Sequence, residues 1–264
     1  MTQSPHPRAL VTGAGVRIGR AIALDLGQAG FDVAVHYGRS ADAADEVVGL
    51  LRDMGRQAVA VRADLTQEAE VGGLVAAAAQ GLGGPLTCLV NNASVFERDT
   101  IQDATRASWD KHMEANLRAP FRLIQDFAGQ CPAPLRDGTG EPVAAGSVVN
   151  LIDQRVRKLT PDFMSYTLSR AALWTLTQTA AQALAPRIRV NAVGPGPTLR
   201  NTGQSEQQFA DQRAATILER GSDPQDIVAA VRYLTGAKAV TGQFLCVDGG
   251  QHLGWETPDV VGLE

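Results

Sequence analysis

Tyr166 and Arg170 stand four residues apart in a helix-compatible stretch, which stacks a phenol and a guanidinium on one helix face. A phenol with a pKa near ~10 is a poor acid–base group at neutral pH unless a cation lowers that value. Arg170 would supply the charge. Taken alone, a pair at this spacing is usually a surface contact, so its meaning depends on the elements around it.

A second group of residues suits phosphate chemistry. Thr12-Gly13-Ala14-Gly15-Val16-Arg17-Ile18-Gly19 opens directly onto a helix pattern, so its backbone N–H groups can approach a pyrophosphate at a helix N-terminus. A site that holds an unphosphorylated ribose offers Asp or Glu about 20 residues further on. Here that place reads His36-Tyr37-Gly38-Arg39-Ser40. Arg39 and Ser40 can donate to a ribose 2′-phosphate and no carboxylate is there to repel it, which predicts NADP(H) as cofactor. Arg17 adds a positive group beside the pyrophosphate turn. Ala63-Asp64-Leu65 offers a carboxylate to an adenine amino group, while Asn91-Asn92-Ala93-Ser94 suits either the cofactor or a simple turn, since Asn tolerates left-handed backbone.

These residues need a scaffold that brings them to one edge. Apolar runs suited to buried parallel strands cover Arg8–Thr12, Phe31–Tyr37, Gln57–Arg62, Leu86–Val90, Ser147–Leu151, Arg187–Ala192 and Phe244–Val247. Helix-length stretches alternate with them: Arg17–Ala29, Ala41–Met54, Gln67–Gln80, Trp109–Gly129, Phe163–Leu184 and Gln225–Leu234. Such alternation predicts an α/β fold with a doubly wound, seven-stranded parallel sheet flanked by helices, a single-domain Rossmann fold spanning 1–264. The phosphate-type motifs then lie at carboxyl ends of strands, where open α/β sheets bind ligands. Pro132–Gly146, with three Pro and three Gly, is expected to be an exposed loop, and the long polar Gly194–Asp223 connection a lid over the substrate.

Composition excludes several classes. The 264 residues are 44% hydrophobic and 5% aromatic, ample for one large core, and a net charge of -4 gives no basic field for nucleic acid or an anionic membrane. The three scattered cysteines form no CxxC pair and would leave one unpaired, which points to a reducing setting. Met1–Pro7 lacks the apolar region of a signal peptide, and no apolar run reaches spanning length, so a cytoplasmic protein is expected. The four histidines, His6, His36, His112 and His252, show no ligand spacing, so no metal is expected.

From Ala9 to Gly254 the chain resembles the short-chain dehydrogenase/reductase family. The resemblance rests on Thr12-Gly13…Gly19 for TGxxxGxG, Asn91–Ser94 for NNAG, a helical Asn116, Tyr166…Arg170 for YxxxK, and Pro195-Gly196 after the sixth strand. It implies Tyr166 as general acid, Arg170 as the residue holding the nicotinamide ribose, and Asn116 as holder of a proton-relay water. It also implies a homotetramer, through the stretch Val240–Gly250.

Departures from the family pattern narrow the substrate. The middle glycine of the loop is Arg17, the catalytic Ser thirteen residues before the Tyr is Asp153, and Ser94 ends the NNAG segment and runs into Val95-Phe96. Together with His36–Ser40 these resemble the pteridine reductase and dihydromonapterin reductase branch. By that resemblance Arg17 touches phosphate and pterin, Asp153 works with Tyr166 in proton delivery, and Phe96 and Ser94 line the pterin. Phe96 equally suits ordinary core packing. Arg170 replaces the usual Lys and keeps the charge, but it cannot release a proton. Two other readings therefore stand beside pterin reduction: a carbonyl or 3-oxoacyl reductase, and a catalytically weak NADP(H)-binding sensor or scaffold.

Overall fold

The computed structural model describes residues 6–201 and 203–257. The first five residues of the polar N-terminal stretch, Thr202 of the expected lid and residues 258–264 lie outside the described residues.

Seven parallel strands form the central sheet: β1 (Arg8–Val11), β2 (Asp32–Tyr37), β3 (Ala58–Arg62), β4 (Cys88–Asn91), β7 (Gly146–Leu151), β8 (Ile188–Pro195) and β9 (Phe244–Val247). Their order is β3-β2-β1-β4-β7-β8-β9, so the chain reverses its winding between β1 and β4 and opens a crevice at their carboxyl ends. Strand alternation divides the core. Ala9, Val11, Val33, Val35 and Val90 face one side, against Ile22 and Leu26 of α1 (Arg17–Gln28), Val47 and Leu51 of α2 (Ala41–Asp53), and Ile227 and Val231 of α8 (Pro224–Gly236). Leu10, Ala34, Leu89, Val148 and Val190 face the other, against Leu74 of α3 (Glu68–Gly81), Leu123 and Phe127 of α5 (Ala119–Gln130), and Ala180 of α6 (Met164–Leu184). Each buried Leu or Ile contributes about 2 kcal/mol, which is why both faces of the strands are apolar.

The structure departs from the sequence expectations in three places. The helix expected over Trp109–Gly129 is α4 (Arg106–Met113), a π-helical turn over Glu114–Arg118, and then α5. Pro132–Gly146 contains a small exposed hairpin, β5 (Leu135–Arg136) with β6 (Pro142–Val143), because Asp137 Oδ1 accepts from the Thr139 and Glu141 N–H groups at 2.9 and 3.1 Å. Gly194–Asp223 begins as the end of β8 and includes α7 (Glu206–Ala214), set by the Ser205/Gln208 capping box. That helix buries no residue, and its sequence Glu-Gln-Gln-Phe-Ala-Asp-Gln-Arg-Ala has no apolar stripe to announce it.

The start of α6 is fixed from outside the helix. Phe163, its N-cap, makes no side-chain cap bond, and Asp99 from the loop after β4 takes over: Oδ1 accepts the Ser165 N–H at 3.0 Å and the Asp99 carbonyl accepts that of Met164 at 3.1 Å. Deeper in α6, Asn91 Nδ2 donates to Asn150 Oδ1 (2.8 Å), and Asn150 Nδ2 to Thr177 Oγ1 (2.9 Å). This buried chain ties α6 to β4 and β7 and so fixes where Tyr166 lies. Among the described residues no helix is long and apolar enough to cross a membrane.

Candidate active site

The glycine loop leaves β1 at Thr12 and is braced on three sides. The Gly13 N–H donates to His36 Nδ1 at 3.0 Å, and His36 Nε2 donates in turn to the Ala63 carbonyl at 3.0 Å. His36 is thus a buried neutral clip, and burial pushes its pKa down to about 4. Asn92 Nδ2 donates to the carbonyls of Thr12 (2.8 Å) and Gly13 (3.3 Å), while Thr12 Oγ1 accepts from the N–H groups of Asn92 and Ala93. Asn92 is therefore a brace for the loop, a role that a turn former does not need. A Cβ on Gly19 would stand 2.1 Å from the Gly13 oxygen, so the approach of loop to helix admits glycine alone. Ile18 packs into the core beneath the loop.

Beyond the loop a cleft of about 740 Å³ opens between the ends of β2, β3 and β4. Gly13, Arg39, Asp64, Leu65, Ala93, Ser94 and Phe96 line it. Arg39 is exposed and in no ion pair among the described residues. Arg62, at the end of β3, adds a second guanidinium in the cleft, 3.7 Å from Glu70. Sequence reasoning missed it; its signal was the carboxyl-end position of a strand already recognised. Asp64 accepts from Thr66 N and Oγ1 at 2.9 and 2.7 Å, and these bonds, with smaller help from Arg39 and Arg62, hold its carboxyl below the usual range. Two expected cofactor residues stand apart from the cleft wall: the Tyr37 ring packs on the core and Ser40 is the N-cap of α2.

On the other side of the crevice Tyr166 is buried, and its hydroxyl donates to Asp153 Oδ2 at 2.9 Å. Asp153 Oδ1 accepts the Arg155 N–H at 2.7 Å. The Arg170 guanidinium lies 5.3 Å from the Tyr166 ring centroid, and its Nη1 donates to the Leu151 carbonyl at 3.1 Å. Arg170 pulls the phenol's pKa down, as expected, but does not set its net direction. Burial first, and then the Asp153 charge, push the phenol up, and Arg170 opposes that shift without reversing it. Burial likewise raises the Asp153 carboxyl against the pull of Arg155, Tyr166 and Arg170. Burial holds both groups toward their protonated forms.

Asn116 sits at the π-helical turn, an irregularity common at functional sites. Its Oδ1 accepts the Val95 N–H at 2.9 Å, and its Nδ2 donates to the Val95 carbonyl at 2.9 Å and to Ser169 Oγ at 3.2 Å. In this geometry the side chain clamps the segment that carries Phe96. The Phe96 ring stacks on Phe163 (centroids 4.4 Å apart, planes at 6°) and meets the Tyr166 ring edge-on at 4.7 Å. Sequence reasoning missed Phe163 and Arg155, whose guanidinium lies 4.9 Å from the Phe163 ring, because neither belongs to a local motif.

Arg17 takes a left-handed backbone, φ 54°, where a glycine would be unstrained. Its exposed guanidinium donates to the carbonyls of Leu199 (3.2 Å) and Arg200 (3.1 Å), tying the glycine loop to the expected lid. Pro195 ends β8, and Gly196 packs so closely on Asp248 that a Cβ there would stand 2.5 Å from the Asp248 Cβ. Asp248, Cys246 and His252 gather ligand-type atoms within 4.8 Å, a cluster the histidine spacing did not announce. Asp248 is already engaged by the Gly250 N–H, the His252 N–H and His252 Nδ1 at 3.0, 2.8 and 2.7 Å, which makes the group a lock on the turn into residues 251–253.

The residues present fit a dinucleotide bearing a 2′-phosphate. The loop admits close approach, two guanidinium groups stand in the cleft, and Arg170 Nε is buried with no partner, ready for a ribose hydroxyl. Comparison with known proteins agrees. The profile of the family described as enoyl-(acyl carrier protein) reductase matches residues 13–252. A 3-oxoacyl-[acyl-carrier-protein] reductase of Staphylococcus epidermidis is 33% identical over 250 residues, 93% of this chain and 98% of the relative. The crystal structure of FolM alternative dihydrofolate reductase 1 from Brucella canis, complexed with NADP, is 44% identical over 97% of this chain and 98% of that one, with a TM-score of 0.87. The angucycline C-6 ketoreductase LanV, solved with bound NADP, is 33% identical over 94% and 96%, with a TM-score of 0.83. The chain belongs to the short-chain dehydrogenase/reductase family and is an NADP(H)-dependent oxidoreductase.

Proposed function

We propose that the protein reduces dihydropterins, with NADPH held by Gly13, Arg39, Arg62 and Arg170 and the pterin ring between Phe96 and the nicotinamide. The observation that carries this reading is the Tyr166 hydroxyl bonded to the Asp153 carboxylate at 2.9 Å, in a place where a ketone reductase needs only a hydroxyl. Asp153, held toward its protonated form, is a second acid beside the phenol, and the nitrogen of a C=N bond takes up a proton directly from such a pair. NADPH, when bound, supplies the hydride to the carbon of the C=N bond. Tyr166 gives its proton to the nitrogen, Asp153 in its protonated form restores the phenol, and Arg170 stabilises the transient phenolate. The 44% identity to an enzyme named for dihydrofolate reduction, against 33% to the 3-oxoacyl reductase, supports the same choice.

The test is the loss of NADPH absorbance with dihydrobiopterin or dihydromonapterin beside a β-ketoacyl thioester and a simple ketone. Because the donor must be protonated and both pKa values are raised, pterin turnover is expected to be full at low pH and lost as pH rises through the raised Asp153 value, and Asp153→Asn should remove that limb. Thioester or ketone reduction without pterin turnover would overturn the reading in favour of the 3-oxoacyl reductase class that the curated relatives represent. Tight NADPH binding without any turnover, with activity appearing on Arg170→Lys, would favour the sensor.

A further inference from the structure

The stack beside the proton-donating pair has two features that the fold does not require. Phe163 holds φ 60° and ψ 48°, a left-handed conformation that a bulky aromatic residue rarely adopts, at the residue where α6 begins. Strain of this kind persists where surrounding structure imposes it and clusters at ligand clamps and switches. The second feature is Arg155. Its guanidinium covers the Phe163 ring at 4.9 Å and reaches Thr160 Oγ1 through Nη1 at 2.6 Å, yet its Nε is buried with no hydrogen-bond partner. A buried donor left unpaired is uncommon and costly, and here it adjoins a stack of flat rings.

The stacking geometry joins the two. Phe163 lies 4.4 Å from Phe96 at 6°, the arrangement a flat heterocycle would take on the same ring, and Phe96 meets Tyr166 at its edge. Phe163 is the N-cap of the helix that carries Tyr166, and Phe96 touches both rings, so a ring in the place of Phe163 would lie near the proton donor. Phe96 is held on two sides, by the edge contact of its ring with Tyr166 and by the Asn116 clamp on the preceding Val95. Phe163 can give way: its ring is held by contacts with Phe96 and Arg155, and a side-chain rotation takes it out of the stack.

Resting on the pterin reading above, we propose that Phe163 is a specificity-determining gate: its ring fills the heterocycle's place on Phe96 and must leave before the substrate enters. The ligand that displaces it is a flat, nitrogen-containing heterocycle with a carbonyl or ring-nitrogen acceptor, which Arg155 Nε pairs once Phe163 has moved. The gate discriminates by stacking. A flat conjugated ring replaces the Phe96–Phe163 contact with an equivalent one, while an acyl chain or small ketone displaces Phe163 without restoring it.

Steady-state kinetics of Phe163→Ala and Phe163→Trp with a dihydropterin test the gate. Removing the ring is expected to lower KM about fivefold to tenfold, from the stacking no longer broken on entry, with the gain in KM and not in kcat. The larger indole is expected to raise KM by a similar factor. Phe163→Gly, which keeps the left-handed backbone without strain, should match Phe163→Ala and guards against an effect of backbone change. A raised KM in Phe163→Ala would make Phe163 a wall that holds substrate, and an unchanged KM would make it a helix cap; either overturns the gate while leaving pterin reduction intact. If the wild-type enzyme turns over no dihydropterin, the functional reading falls first. Equilibrium titration with oxidised pterin, followed by its own fluorescence in the presence of NADP, then decides the gate: tighter binding to Phe163→Ala supports it, and equal or weaker binding ends it.

Discussion

Around the glycine loop the polar groups answer one another: Gly13 N–H with His36, the Thr12 and Gly13 carbonyls with Asn92, and the Asn92 and Ala93 N–H groups with Thr12. Across the crevice Arg155 Nε is buried and unpaired, Phe163 is held in a left-handed conformation, and helix α7 buries nothing. The glycine loop is braced by the chain's own groups. The region around Phe163 holds an unpaired donor and a strained backbone that the chain itself does not relieve.

The contrast can be broken most severely at its centre. Tyr166→Phe keeps the ring contact with Phe96 and removes the proton donor, so turnover should fall about a thousandfold while NADPH affinity, read by fluorescence titration, stays within about twofold. Retention of more than a tenth of the activity would remove Tyr166 from proton delivery.

The bracing of the glycine loop by His36 predicts acid sensitivity. The folded chain keeps His36 neutral down to about 4, against an ordinary value of 6.5. Below the ordinary value the unfolded chain takes up a proton that the folded chain refuses, so this contribution to stability is present at neutral pH and lost as pH falls. The loss is roughly 3 kcal/mol across that window. Urea unfolding at a series of pH values reads it, and the slope should shrink in His36→Asn.

Arg39→Ala tests whether the cleft is built for a 2′-phosphate. The KM for NADPH should rise about tenfold, as expected for one exposed charge-assisted contact, with the KM for NADH little changed. Equal losses with both cofactors would place Arg39 away from the phosphate.

The smallest effect sharpens the boundary between the two sides. Arg17→Gly relieves the left-handed backbone at φ 54° and should stabilise the fold by about 1 kcal/mol, visible as a raised Tm. Losing the bonds to Leu199 and Arg200 should at the same time make residues 199–223 easier to cleave by protease. A lowered Tm would show that Arg17 holds more of the fold than its two bonds suggest.

Much of this was legible in the chain. The glycine loop, the strand–helix alternation and the sheet edge that gathers Gly13, Asp64, Ser94 and Tyr166 follow from local signals, because glycine turns, strand burial and helix spacing are set within a few residues. The hairpin at Leu135–Val143 and helix α7 escaped notice, since Asx bonding and a capping box without an apolar stripe leave only faint traces in sequence. Arg62 escaped for a different reason: a lone cation has meaning only beside the cleft it faces.

The sequence by itself determined which side chains are available for proton transfer and phosphate binding, and on which edge they lie, because those depend on residue type and strand order. Only the tertiary structure decided how they act. Whether Tyr166 is pushed up or down in pKa depends on burial and Asp153 together outweighing Arg170, a balance that no spacing reveals. Asn116 became a clamp on Val95, and Phe163 and Arg155 joined the site, through contacts between segments far apart in the chain, where distance along the sequence carries no information about distance in space.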